Sequence, residues 1–167
     1  IRKATGAEVM TVVADAARAE DMPRFIEETV RRYGRIDAVV NNAGGTGQRP
    51  FDLVDDAAWQ NDLDIKVFGQ IRTARAAIPH MRKAGRGNIV NIASVHANFG
   101  FEGASAYDAS KGAIVSVTRT MALENGPFQI RANSICPGYI DTPMWDSWLA
   151  SQADPEKIER ETQELEL

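Results

Sequence analysis

Apolar and polar positions follow two periods along this chain, and the switches between them mark out its elements. Residues 7–14 (AEVMTVVA) form a short β-branched run between Gly6 and Asp15, which reads as a buried strand. Beyond it, Met22, Phe25, Ile26, Val30 and Tyr33 share one face of a helix, with Asp21 suited to the N-cap and Gly34 to the stop. Residues 36–40 (IDAVV) predict a second strand, which runs into Asn41-Asn42-Ala43-Gly44 and a loop over 45–52. A long helix is expected over 55–83, because Trp59, Leu63, Val67, Phe68, Ile71, Ala74 and Ile78 recur at helical spacing. Pro79 is expected to bend or end it. Residues 88–93 (NIVNIA) and 129–135 (QIRANSI) predict two more strands around an alanine-rich helix over 105–124, which Gly126-Pro127 breaks. The remainder reads as a loop and polar helices.

The order β-α-β-α-β-α-β with short connections predicts an α/β fold: a doubly wound parallel sheet with helices on both faces. No repeat or linker interrupts the pattern, so residues 1–167 read as a single domain.

Composition narrows the function classes. The chain is 44% apolar and 25% charged, as expected of one globular domain. Its net charge is −4 and no basic cluster stands out, which argues against a nucleic-acid or anionic-membrane partner. Cys136 is the single cysteine, so no internal disulfide framework exists and a reducing compartment is expected. With no long apolar run and no signal peptide, the expected setting is cytoplasmic. His80 and His96 lack metal-ligand spacing, and no metal is expected.

In an open parallel sheet, ligands bind outside the carboxyl ends of the strands. Asp15, Asn41 to Gly44, Ser94 and the segment from Pro137 onward all lie at such ends. Tyr107 and Lys111 sit one helical turn apart and project from one face. A phenol titrates near 10 on its own, and a neighbouring ammonium favours the phenolate. With a serine hydroxyl nearby, such a set suits proton transfer at an oxygen whose carbon exchanges a hydride.

The segments Asn41-Asn42-Ala43-Gly44, Ser94, Tyr107-Asp108-Ala109-Ser110-Lys111 and Pro137-Gly138-Tyr139-Ile140-Asp141-Thr142 together resemble the short-chain dehydrogenase/reductase family. Ser94 stands thirteen positions before Tyr107, as in that family's pattern. The resemblance implies a Rossmann-like dinucleotide-binding domain and an oxidoreductase that uses NAD or NADP to interconvert an alcohol and a carbonyl compound. It assigns proton transfer to Tyr107, with Lys111 lowering its pKa and holding the nicotinamide ribose and Ser94 polarising the substrate oxygen. Asn41, Ala43 and Gly44 would pass the adenine-side ribose, Asp15 the adenine, and Pro137, Gly138, Ile140 and Thr142 the nicotinamide. Residues 142–167 fall where the family places a substrate lid, with Trp145 and Trp148 either walling the substrate or packing the lid. His96 either lines the substrate pocket or is a solvated loop histidine. A homodimer or homotetramer through the two long helices is also implied.

Two departures stand out. Lys66 occupies the position where the family carries an asparagine of the proton relay. An altered relay is the reading adopted for it; a catalytically silent dinucleotide-binding subunit is the alternative. No segment of these 167 residues resembles the family's glycine-rich pyrophosphate turn. With strand order 3-2-1-4-5-6, the strand at 7–14 and that at 36–40 are separated by two other strands, about 14 Å at ~4.8 Å per strand spacing. The expectation is therefore the interior of a longer chain of roughly 250 residues, of which an isolated inert fragment is a further possibility.

Overall fold

The computed structural model describes residues 2–45 and 49–165. Its centre is a parallel three-stranded sheet in the order β1 (Ala38–Asn41), β2 (Gly87–Ile92), β3 (Ile130–Ile135). Ala38 pairs with Asn88, and Asn88 with Arg131, so the three strands end level with one another.

Alternate strand residues decide where the core lies. Val39, Ile89 and Ala132 point to one face and are buried with Ile26, Ala74, Ala77 and Met81. These residues come from helices α2 (Asp21–Tyr33) and α4 (Gly69–Ala84), and Met121 of α5 (Ser105–Asn125) packs beside them. On the opposite face Val40 is 63% exposed and Ile135 50%. These strands and helices form part of the doubly wound α/β fold that the sequence predicts, with α2, α4 and α5 packed on the face of Val39, Ile89 and Ala132. The cause is topological. Each strand-helix-strand crossover is right-handed, so successive crossovers moving in one direction along the sheet leave their helices on the same side.

Helix α2 ends where the sequence predicts, at Gly34, whose φ of 75° and N–H bond to the Val30 carbonyl at 2.7 Å close the last turn. Its start differs. Glu20 occupies the cap position, and Asp21 is already helical, its carboxylate accepting from Asp15 N and from Arg24 at 2.8 Å each. The charge ties the end of the preceding segment to the helix.

That segment, residues 7–14, has no regular structure and pairs with no described strand, so it is not the β-strand its composition predicts. A β-branched run becomes a strand only against a partner edge, and the edge of β1 lies across an open cavity of about 320 Å³ lined by Val12, Ala14, Met22, Phe25 and Val39. Side chains of two helices hold the segment and the residues that follow it. Arg24 donates to the Val13 carbonyl, and Arg72 to the Ala17 carbonyl, at 2.8 and 2.9 Å. Gly69 lets it approach, because a Cβ there would stand 2.9 Å from the Ala16 carbonyl oxygen.

The long helix is one continuous rod with a wide turn inside it. Helix α3 (Asp56–Leu63) starts under Asp55, whose side chain accepts from Ala58 N at 2.8 Å. A π-turn at Asp64–Phe68 follows, and α4 continues to Ala84. Pro79 neither ends nor interrupts it: Ala77 and Met81, both fully buried, anchor the turns on either side, and Gly85 closes it with φ 69°.

The chain divides into two compact units, Ile1–Cys136 and Pro137–Leu167. The second holds α6 (Pro143–Leu149) and α7 (Pro155–Leu165). Thr142 caps α6 by accepting from Trp145 N at 3.2 Å. Within this unit Trp145 lies 4.9 Å from Tyr139 and 5.0 Å from Trp148, ring centre to ring centre. Trp145 and Trp148 thus pack together, and the expected lid residues fall inside this unit. A four-residue helix, α1 (Arg2–Thr5), opens the chain.

Candidate active site

The site grows from the carboxyl end of β2. Past Ile92 the backbone stays extended through Ser94, then makes a short turn over Val95–Ala97, with the Ser94 hydroxyl accepting from His96 N at 3.3 Å. Ser94 is buried at this strand end. Helix α5 then brings Tyr107 and Lys111 to the same place. The Lys111 side chain is buried and its Nζ donates to the Ile92 carbonyl at 2.8 Å, which pins the helix to the strand end. The Ser94 hydroxyl lies close enough to the Tyr107 phenol to lower its pKa. Three residues that the sequence marks as one constellation are therefore assembled as one.

Lys66 joins them from the wide turn. Its side chain is 2% exposed, its Nζ meets Asp62 Oδ1 at 2.5 Å, and it stands 5.4 Å from the centre of the Tyr107 ring. Lys111 Nζ stands 5.3 Å from the same centre. The charges act in opposite directions. Burial pushes the Tyr107 phenol above its ordinary value; the nearby Ser94 hydroxyl pulls it down, while the carboxylates of Asp108 and Asp62 raise it further. Burial first, and then the Lys66 ammonium, push Lys111 down to about 8. The sequence predicts a phenol lowered by its neighbouring ammonium. In the folded chain burial of the ring is the largest influence, and it works in the opposite direction.

His96 belongs to the wall of the site. Its Nδ1 lies 2.6 Å from Asp108 Oδ1, its ring stacks on Phe101 at 3.8 Å, and it meets Tyr107 edge-on at 5.1 Å. The second carboxylate oxygen of Asp108 accepts from Phe101 N at 2.9 Å, so this one side chain holds both the imidazole and the loop beneath it. Asp62 and Asp108 escape a motif-based reading, although each carried a signal: one stands four residues before Lys66, and the other is an acid in the first turn of α5.

The residues expected around a dinucleotide divide into groups. Asn41 is buried, and its amide is turned inward, donating to Asn91 Oδ1 at 2.8 Å; Asn91 in turn donates to Thr118 at 2.8 Å. What β1 presents at its end is the exposed backbone of Asn42, Ala43 and Gly44. Asp15 makes a local turn, accepting from Ala17 N at 2.9 Å, and its neighbours Ala14 and Ala16 line the same open cavity as Asn41 to Ala43. Gln70 lines it too, with both amide atoms buried and unpartnered. Pro137, Gly138, Ile140 and Thr142 lie in the second unit. Cys136 is half-buried against the small cluster of Val67, Ala93 and Ile114. Among the described residues no helix is long and apolar enough to cross a membrane, and no group of three side chains is placed to hold a metal ion.

The donor set fits the nicotinamide end of a dinucleotide. An ammonium carries three N–H donors, and Lys111 directs one to the Ile92 carbonyl. The others can meet a vicinal diol beside Tyr107.

A parallel α/β sheet with serine, tyrosine and lysine gathered at one strand end defines a class of protein built around a site at the sheet's carboxyl edge. The family follows from comparison. The family model for short chain dehydrogenases matches residues 1–153, and the chain belongs to that family. It is 36% identical over 151 residues to an L-fucose dehydrogenase of Bos taurus, covering 90% of this chain and 56% of that protein. The solved structure of an NAD+-bound xylitol dehydrogenase superposes with a TM-score of 0.85 at 34% identity, covering 93% of this chain and 60% of that one. A gluconate 5-dehydrogenase from Burkholderia cenocepacia in complex with NADP and tartrate gives a TM-score of 0.79 at 31% identity, covering 86% and 56%. The chain thus spans little more than half the length of the curated relatives it matches.

Proposed function

We propose that the protein carrying this chain is an NAD(P)-dependent oxidoreductase that interconverts an alcohol and a ketone or aldehyde. The observation that carries the reading is the placement of Tyr107: beside Ser94, and with its ring centre 5.3 Å from the Lys111 ammonium, which is itself tied to the end of β2. Support for the cofactor comes from the two solved relatives, one bound to NAD+ and the other to NADP.

When bound, the dinucleotide supplies hydride transfer at its nicotinamide ring. The chain's residues handle the proton and the positions of the reacting groups. In the oxidative direction Tyr107 Oη takes the substrate hydroxyl proton, and in the reductive direction it returns one to the carbonyl oxygen. Ser94 donates to that same oxygen and keeps it within reach of the phenol. Lys111 holds the ribose diol with its remaining N–H groups and offsets the phenolate charge. Asp15 and the backbone of Asn41, Ala43 and Gly44 meet the adenosine half. In this reading Lys66 stands in the altered relay.

His96, fixed by Asp108, faces Tyr107 and suits a second oxygen on the substrate. The names of the relatives point the same way, since fucose, xylitol and gluconate all carry several hydroxyls. Polyols, sugars and aldonic acids are therefore the first substrates to screen. Assembly as a homodimer or homotetramer in a cytoplasmic setting completes the proposal.

The test is Tyr107→Phe in the complete protein, followed by nicotinamide absorbance with a polyol and ketone panel. Turnover should fall by at least 10³-fold while dinucleotide binding, measured by calorimetry, stays within a few-fold. Retained turnover refutes the assignment.

A further inference from the structure

Two ammonium groups flank one tyrosine ring, and one of them is accompanied by a carboxylate. Lys66 and Lys111 stand almost equally far from the Tyr107 ring centre, at 5.4 and 5.3 Å. Lys111 is held by a neutral carbonyl, whereas Lys66 is held by Asp62 at 2.5 Å. The pair is built as a wall. Lys66 is 2% exposed, but the Asp62 side chain is 13% exposed and lines a separate cleft of about 170 Å³ with Arg49, Asn61 and Ala106. A buried ammonium with no counter-charge is costly, and a carboxylate one helical turn away offsets that cost.

We propose that Asp62 is a positioning residue of this site: it keeps the Lys66 ammonium against Tyr107 and cancels its charge there, so that the tyrosine works beside one net cation, Lys111. The inference rests on the reading of Tyr107 as the proton-transfer residue. A neutral relay residue would leave that charge balance unchanged; a lysine preserves it only with its carboxylate. Among the described residues, His96 and Asp108 also face Tyr107, on the side of the 94–104 loop. Cys136 acts on Lys111 from the end of β3.

The two partners act on the phenol with opposite signs, and this makes the inference testable. Lys66→Met removes a cation and leaves a carboxylate, so phenolate formation becomes harder. Asp62→Asn removes the carboxylate, so it becomes easier. The double variant loses both charges and returns toward wild type.

The measurement is the ultraviolet tyrosinate titration of the complete protein without dinucleotide, with Tyr107→Phe subtracted to isolate this residue. The titration of Tyr107 should move up by about one pH unit in Lys66→Met, down in Asp62→Asn, and back to within a few tenths of a unit in the double variant. Under turnover, the acid limb of kcat/KM for alcohol oxidation should follow the same three shifts. If Lys66→Met does not fold, Lys66→Gln takes its place, since its amide can still donate to Asp62. Single variants that shift the titration in the same direction, or a double variant no closer to wild type than the singles, overturn the proposal. If Tyr107→Phe keeps its turnover, the underlying reading fails instead, whatever the titrations show.

Discussion

Lys66 and Lys111 bring their ammonium nitrogens to almost the same distance, 5.4 and 5.3 Å, from the Tyr107 ring. They arrive from different elements, one from a wide turn inside the long helix and the other from the next turn of α5. The carboxylate of Asp62 makes this close approach of two cations tolerable.

Lys111 carries a stability cost that depends on pH. Its folded-state pKa is lowered from 10.5 to about 8, with burial as the main cause and Lys66 next. Between those values the unfolded chain binds more protons at this residue than the folded one, so this residue's contribution to stability rises with pH. Lys111→Met should therefore be more stable than wild type at pH 7, and the gap should narrow from about pH 8 to 10.5. Urea midpoints across that range check it; a gap that widens contradicts the prediction.

Asp108 fastens His96 and the Phe101 backbone with its two oxygens, at 2.6 and 2.9 Å. Asp108→Asn keeps the shape but loses the charge, at an expected cost of about 1.5–3 kcal/mol. KM for a polyol should rise more than kcat falls. Equal stability by chemical denaturation would show that the pair contributes nothing measurable.

The buried chain from Asn41 through Asn91 to Thr118 crosses beneath the strand ends, and Asn91 is fully buried. Asn91→Ala leaves the Asn41 amide without its main acceptor and opens a cavity. A loss of about 2–4 kcal/mol is expected in urea unfolding.

Gly69 has no room for a methyl group, with the Ala16 carbonyl oxygen 2.9 Å from where its Cβ would stand. Gly69→Ala should cost about 1–3 kcal/mol and loosen residues 12–17. Limited proteolysis next to Arg18 is expected to speed up. An unchanged cleavage rate would mean that the helix, not the segment, gives way.

Helix boundaries and the central constellation were legible because they depend on local order. The 105–124 helix and the 88–93 strand fall within one residue of Ser105–Asn125 and Gly87–Ile92. The four-residue spacing of Tyr107 and Lys111 places both on one face whatever surrounds the helix. Residues 7–14 have strand composition without a strand's partner, and Pro79 has a breaker's chemistry inside a helix that packing carries through. Local pattern gives no information on either.

The sequence by itself determined which segments are helical or extended and which side chains share a face, since these follow from backbone geometry and residue period. Only the tertiary structure decided which charges meet. Asp62, Lys66 and Tyr107 come together because the long helix and α5 pack against each other. Burial pushes the Tyr107 phenol above its ordinary value, because desolvation depends on what packs around the ring, and no spacing in the sequence records that.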